Sequence, residues 1–152
     1  MVRIILTVLL VHIFSACIAT PLANEPDVAS LYGKYVISGF KQYGGGRTTE
    51  EYANNQVGNV VYVFKDEIRI YGKSIKSPIY KIEKVKVDYG EGNIVPRDLS
   101  VFYGYKRDRK AVVRLLVYDK ARPAILQNSF EIFDDGTLLN MHDGHFYFMK
   151  KL

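Results

Sequence analysis

Short runs in which apolar and polar residues alternate recur along this chain, separated by turn residues. The runs are rich in Val, Ile, Tyr and Phe, and the sequence contains no Trp. Such side chains fit a pleated surface, and their alternation places the apolar ones on one face of a sheet. The sequence therefore predicts strands near 32–40, 59–64, 67–71, 79–87, 99–106, 111–118, 126–133, 138–141 and 145–150.

The residues between these runs predict hairpins. Only Lys65 and Asp66 separate the predicted strands at 59–64 and 67–71, and Asp-Gly pairs occur in "DDGT" and "HDG". Asp-Gly suits a tight hairpin because such turns need positive φ. Closely spaced hairpins indicate an antiparallel meander of about eight or nine strands, a number that suits a small closed or nearly closed barrel. A two-sheet sandwich is the alternative.

Two segments depart from the strand pattern. In "RTTEEYANNQVG", Thr48 precedes Glu51 by three residues, the spacing of a capping box, and Gly58 can end a helix. We therefore expect one short helix near 49–57. The phase of alternation shifts between Ile82 and Val85, which predicts a bulge or bend in that strand.

The N-terminal residues predict export. An apolar run of about a dozen residues follows Arg3 and precedes small residues, as in a secretory signal that is too short to span a bilayer. We assign 1–17 to a signal peptide, 18–30 to a flexible tether and 31–152 to a single domain. The expected location is the periplasm or cell envelope of a bacterium.

Cys17 is the single cysteine of the chain and lies where the apolar leader ends. Ser15 and Ala16 precede it as in the lipobox of bacterial lipoproteins, with Phe14 where Leu is usual. Cleavage after Ala19 would instead discard the cysteine. Both alternatives stay open: Cys17 is a lipid attachment point or a discarded residue. In either case we expect no disulfide in the domain, and membrane contact only through the lipid.

Charge and motifs disfavour several classes of function. The formal net charge is +5, but basic and acidic residues alternate on the same segments, so we expect no nucleic-acid partner. No Gly-x-Ser-x-Gly motif occurs. Glu50-Glu51 and Asp134-Asp135 are sequence neighbours that would point apart instead of facing across a substrate. We interpret the chain as a binding protein and not an enzyme, without a cofactor.

The stretch "HDGH", from His142 to His145, is the strongest candidate for a metal site. It offers two imidazoles and one carboxylate, but a metal needs converging ligands and a further donor. We interpret it as a hairpin turn whose flanking residues point to opposite faces, and we expect no metal.

Aromatic residues lie on almost every predicted strand. About half should face inward, where they either fill a core or line an apolar ligand cavity. Tyrosines beside cations in two loops, "KQYGGGR" and "YKRDRK", suit a protein-binding surface, because Tyr and Arg are enriched at hot spots. The partner-binding candidates are Tyr43, Arg47, Tyr105, Lys106 and Arg107.

Gly33-Lys34-Tyr35 resembles the Gly-x-Trp motif that opens the first strand of lipocalins, with Tyr in place of Trp. Residues 31–152 are similar in layout to small exported bacterial proteins of lipocalin-like shape. The similar features are a threonine-capped acidic helix, an "I-x-x-P-x-Y" segment (Ile75, Pro78, Tyr80) and a final "DG-x-F-Y-x-x-x-K" strand (Asp143 to Lys151).

Some of those proteins inhibit lysozymes or protect their owner from wall-degrading toxins. The resemblance therefore implies a lipocalin-like barrel that acts as an immunity or inhibitor protein. It would bind a peptidoglycan-degrading toxin or bacteriocin and occlude the active site of that enzyme. The alternative is a lipocalin-like carrier of a small lipophilic ligand.

Overall fold

A computed structural model describes residues 26–152, in which nine antiparallel strands form one sheet. Cys17, the predicted signal peptide and most of the predicted tether lie outside the described residues. The strands are β1 (Gly33–Gln42), β2 (Val60–Val63), β3 (Glu67–Ile70), β4 (Lys73–Lys76), β5 (Ile79–Lys86), β6 (Ala111–Asp119), β7 (Arg122–Ile132), β8 (Leu138–His142) and β9 (His145–Lys151). The helices are α1 (Glu50–Gln56) and two 3-10 helices, Val28–Leu31 and Ser100–Tyr103. Between residues 26 and 152, no helix has both the length and the apolar character needed to cross a bilayer.

The strand order is β4-β3-β2-β1-β9-β8-β7-β6-β5, so β4 and β5 are the two edges. They are nevertheless consecutive, since only Ser77 and Pro78 connect them. Three Cα–Cα steps cover at most about 11 Å, so the edges must approach each other at this corner. The Ser77 amide also donates to the carbonyl oxygen of Asp66 (2.8 Å), in the β2–β3 turn. The mainly-β class and antiparallel pairing are confirmed, but no hydrogen-bonded ladder joins β4 to β5 to close a barrel.

One face of the sheet forms the main core. Val61 and Ile68 come from one half of the sheet, Leu115 and Phe130 from the other, and all four are fully buried in the same apolar cluster. Tyr35 of β1 lies among them and donates its hydroxyl to the Leu31 carbonyl oxygen (2.7 Å). We call this the inner face, because both halves of the sheet contribute to it.

Helix α1 confirms the short helix expected at 49–57, with a different cap. Thr49, not Thr48, is the N-cap, and its hydroxyl accepts a hydrogen bond from the Tyr52 amide (3.2 Å). Glu50 and Glu51 lie in the first turn, where the helix dipole favours acidic side chains. Ala53 is fully buried in the inner core and anchors the helix to the sheet.

Two sequence expectations about strands were wrong, and one strand was missed. Residues 99–106 do not form a strand: they contain the 3-10 helix Ser100–Tyr103 and the left-handed residue Gly104 (φ 83°). Strand β4 was not predicted. No register shift occurs between Ile82 and Val85; the irregularities lie instead at Ile37/Gly39 and around Tyr118.

The long connection between β5 and β6 covers the outer face of the sheet. Leu99 and Val101 are buried there against Val112 of β6. Beside them, the Glu131 carboxylate of β7 accepts hydrogen bonds from the Ser100 amide (2.6 Å) and hydroxyl (2.7 Å) and pairs with Arg109 (2.8 Å). In a β-strand the Ser100 amide would donate to a neighbouring strand and not to this carboxylate. The buried Glu131 carboxylate therefore explains why residues 99–106 do not form the strand that their alternating pattern predicted.

Replacing Glu131 should therefore loosen the outer covering. We expect Glu131→Ala to lower the free energy of unfolding by about 3 kcal/mol, because Arg109 and the Ser100 amide would stay buried without their partner. Urea unfolding followed by circular dichroism measures this change. Glu91→Ala, at an exposed acid, is the control and should have an effect below about 0.5 kcal/mol. Equal stability of the two variants would contradict this role of Glu131.

Candidate functional site

A cleft of about 1000 Å³ lies among the described residues. One wall is the β3–β4 hairpin and the other is the tip of the β6–β7 hairpin. These elements lie on opposite halves of the sheet, and of the two edge strands β4 lines the cleft whereas β5 does not. Its lining is Tyr52, Ile68, Ile70, Tyr71, Lys73, Ser74, Ile75, Lys76, Asp119, Lys120, Ala121, Arg122, Gln127, Asn128 and His142.

Tyr71 shapes the inner end of the cleft. It shares the β3–β4 turn with Gly72, and both have positive φ (50° and 70°). This conformation is unfavourable for an aromatic residue, and it persists because the side chain is held by packing. The Tyr71 hydroxyl donates to Asn140 Oδ1 (2.8 Å), and the Tyr71 ring stacks on His142 at 4.7 Å. Burial raises the pKa of Tyr71 above its usual value, so the hydroxyl stays protonated and can donate.

Behind Tyr71 lies a group of polar side chains that are incompletely paired. Asn140 donates to the Ser129 carbonyl oxygen (2.9 Å), which fixes its amide. Tyr147 Oη and His145 Nε2 are buried without a hydrogen-bond partner among the described residues. The Tyr147 ring lies 5.2 Å from that of Tyr71. Buried polar atoms are usually paired, so this end of the interior retains unused hydrogen-bonding capacity.

The outer part of the cleft is charged. Lys76 pairs with Glu67 (2.6 Å), and Arg122 pairs with Asp119 (3.3 Å). Hydrogen bonds from Lys76, Ser74 and Arg69 lower the pKa of Glu67 to about 2, so this carboxylate stays ionised and ties β3 to β4. Lys73 lies near His142; burial, and to a lesser degree this ammonium, lowers the imidazole pKa.

The "HDGH" stretch forms the predicted hairpin turn, with Asp143 (φ 42°) and Gly144 (φ 86°) at its tip. The expectation that its flanking residues point to opposite faces was wrong. His142 and His145 are direct cross-strand partners and therefore share the inner face. The Asp143 carboxylate instead accepts hydrogen bonds from the Arg47 amide (3.0 Å) and the Thr48 hydroxyl. No cluster of three metal-ligating side chains occurs within residues 26–152.

Two of the predicted partner-binding residues, Tyr43 and Tyr105, come together on the outer face. The Tyr43 ring stacks on Phe146 at 4.4 Å, and the Tyr105 ring lies 5.5 Å from the same Phe146. Both tyrosines are partly buried and pack against the cluster that Phe133, Leu139 and Phe146 form. Their rings therefore serve to hold the two loops on the sheet.

The cationic candidates are more accessible. The side chains of Arg47, Lys106 and Arg107 are exposed. Lys106 lies over the Phe133 ring at 4.3 Å, and Arg107 lies over the Tyr89 ring at 5.1 Å. All five candidates thus lie outside the cleft lining. The cleft residues were missed because they come from five separate segments; the local signal at Tyr71-Gly72 is weaker than Asn-Gly or Asp-Gly.

Comparison with protein-family models, with curated proteins and with solved structures finds no significant match for this chain. The site must therefore be interpreted from its own geometry.

The glycine loop at 44–46 offers a matched test of how the outer face is built. A Cβ at Gly46 would lie 2.0 Å from the Asp143 carbonyl oxygen, whereas a Cβ at Gly45 would meet nothing within 4 Å. We expect Gly46→Ala to lower the free energy of unfolding by about 2 kcal/mol, because backbone must shift. Gly45→Ala should change it by less than about 0.5 kcal/mol. Urea unfolding of both variants makes the comparison, and equal stabilities would show that the loop does not rest on the β8–β9 turn.

Proposed function

We propose that this chain is an exported binding protein whose inner cleft holds a small, largely apolar ligand. The observation that carries this proposal is the cleft of about 1000 Å³ between the β3–β4 and β6–β7 hairpins. Its volume lies at the upper end of the range for small-molecule sites, about 300–1000 Å³. The proposed mechanism is reversible binding by shape and contact, with no bond made or broken.

The composition of the walls supports a mixed ligand. Ile75 is partly buried and supplies an apolar surface on the β3–β4 side, with the buried Ile68 and Ile70 behind it. Tyr52, Tyr71 and His142 supply hydrogen-bonding groups at the inner end. A few convergent polar groups beside an apolar wall are the usual design of a ligand site, since the apolar wall gives affinity and the polar groups fix orientation.

We further propose that the sheet acts as an incompletely closed, lipocalin-like barrel. Its halves share one core, and its edge strands are joined by two residues. The free edge of β4, which lines the cleft, supports a side entrance for the ligand. Export, and attachment through Cys17 where the cysteine is retained, would place this barrel in the bacterial envelope.

Blocking the cleft tests the proposed function. N-phenyl-1-naphthylamine, a neutral apolar dye, should fluoresce more strongly when it binds the purified protein. We expect Ala121→Trp, which adds an indole to the cleft lining, to weaken dye binding about tenfold or more, because the new ring competes for the same space.

Ala124→Trp is the matched control, because Ala124 is exposed on the same hairpin but does not line the cleft. It should bind the dye like the unmodified protein. Native mass spectrometry of protein from its own envelope gives an independent measurement of any retained ligand. No dye binding at micromolar protein, together with a ligand-free mass, would refute the proposal.

Inhibition of a peptidoglycan-degrading toxin or bacteriocin is a second candidate, favoured by an exposed aromatic cluster. The rings of Phe102 and Tyr103 lie 5.0 Å apart and are 42% and 38% exposed, which is unusual for neighbouring large rings. Tyr89, in the same connection between β5 and β6, is 43% exposed. Arg107 and Arg97 lie over two of these rings. Aromatic and Arg side chains are typical of hot spots. A cation presented here could enter a cleft lined by catalytic carboxylates, as an immunity protein would require.

This second function predicts retention of an envelope muramidase or amidase on immobilised protein. Phe102→Ala should weaken that binding at least about tenfold, because truncated aromatic hot spots typically cost 2 kcal/mol or more. Phe64→Ala is the control, at a similarly exposed ring on β2–β3. If no wall hydrolase is retained or inhibited at micromolar protein, the inhibitor function is excluded.

A further inference from the structure

The charges that line the cleft point to the class of its ligand. Four cationic side chains line it, Lys73, Lys76, Lys120 and Arg122, against the single carboxylate of Asp119. The geometry points to a single-chain amphiphile with an anionic oxygen head group as the ligand. This inference rests on the ligand-binding function proposed above and specifies its chemistry.

Two of the four cations are already neutralised locally. Lys76 pairs with Glu67, and Arg122 pairs with Asp119. Lys73 and Lys120 form no salt bridge within residues 26–152 and are exposed to the cleft and solvent. An anionic head would therefore meet two available ammonium groups, one on each wall, whereas a cationic head would meet net repulsion.

Lys73 is best placed to hold the head group. It is the direct cross-strand partner of Ile70 in the antiparallel β3–β4 pair, so the two side chains emerge on the same, inner face. The neighbouring turn residue Tyr71 and the stacked His142 also line the cleft. The Tyr71 hydroxyl already donates to Asn140, so an anion there would accept hydrogen bonds from the Lys73 ammonium and from an N–H of the His142 imidazole. Charge-assisted hydrogen bonds are the strong ones.

From that point the apolar chain would run along the inner face of the β3–β4 hairpin, where Ile75 is partly accessible and Ile68 and Ile70 are already buried in the core. Ile70 lies opposite Lys73, and the next inward pair along the hairpin is Ile68 with Ile75. Isoleucines at successive inward positions form a strip that leads away from the ammonium group. Each methylene buried on such a strip contributes up to about 0.8 kcal/mol, so the chain would supply much of the affinity and the head group the selectivity.

The test compares ligands that share a chain and differ in the head group. Dodecanoate, dodecyl phosphate, dodecanol and dodecyltrimethylammonium would each displace N-phenyl-1-naphthylamine from the purified protein. We expect the two anions to bind roughly three- to tenfold more tightly than dodecanol, the range between a surface ion pair and a charge-assisted hydrogen bond. The cation should bind most weakly. The preference for anions should shrink as salt is raised, because the ammonium groups are exposed.

Lys73→Gln should remove most of the preference for anions, measured as the ratio of anion affinity to dodecanol affinity in the same variant. Lys120→Gln tests the opposite wall in the same way. Lys65→Gln is the control, since it removes the same charge at an exposed turn outside the cleft. Circular dichroism would verify that each variant is folded.

The outcomes separate this inference from the function on which it depends. If neither the dye nor any dodecyl compound binds, the ligand-binding function fails. If dodecanol and the anions bind equally well, ligand binding stands and the anionic head group is refuted. If Lys73→Gln weakens dodecanol and anion binding by the same factor, the anionic head group is also refuted. Lys73 would then contribute to the shape of the cleft and not to recognition of the head-group charge.

Discussion

The two-residue link between β4 and β5 is the constraint on which the rest of the structure depends. These strands are the opposite edges of a nine-stranded sheet, yet only Ser77 and Pro78 separate them. A flat sheet of this width could not satisfy that link, since neighbouring strands lie about 4.8 Å apart. The sheet must therefore bring its edges together, and apolar side chains from both halves then meet in one core. The Tyr80 hydroxyl, which donates to the Phe64 carbonyl oxygen (2.8 Å), fastens the same corner from the β5 side.

The two faces of the sheet are covered by different elements. The inner face is covered by the sheet itself and by α1 through Ala53. The outer face near β6–β9 is covered by two elements. One is the long connection between β5 and β6, which is hydrogen-bonded to Glu131, and the other is the glycine loop at 44–46, which contacts the β8–β9 turn. Strong polar contacts thus hold the outer covering, whereas Tyr147 Oη and His145 Nε2 at the inner end are buried without a hydrogen-bond partner within residues 26–152. The polar atoms that could still form a hydrogen bond with a ligand therefore lie on the inner face of the sheet.

The sequence predicted those features whose cause is local. The turns at Lys65-Asp66 and Asp143-Gly144 and the helix at Glu50–Gln56 follow from residues within a few positions of each other. The strand predicted at 99–106 was wrong because the Ser100 amide donates a hydrogen bond to the distant Glu131 carboxylate. Strand β4 was missed because "KSIK" has one apolar residue, and its pairing with β3 supplies what its composition lacks. Cleft residues could not be grouped in advance, since only the tertiary fold brings Tyr71, Arg122 and His142 together.

The open edge of the sheet is also what makes a binding function compatible with this fold. Pairing of β4 with β5 along their length would satisfy more backbone groups and hide both edges, which natural sheets usually protect. It would also cover the free edge of β4, which lines the cleft. The chain instead protects β4 with lysines at both ends, Lys73 and Lys76, a common device on exposed edges. Both lysines also line the cleft, and because Lys76 is paired with Glu67, Lys73 is the edge lysine that contributes an available positive charge there. Protection of the edge and selection of an anionic ligand would then have one physical origin.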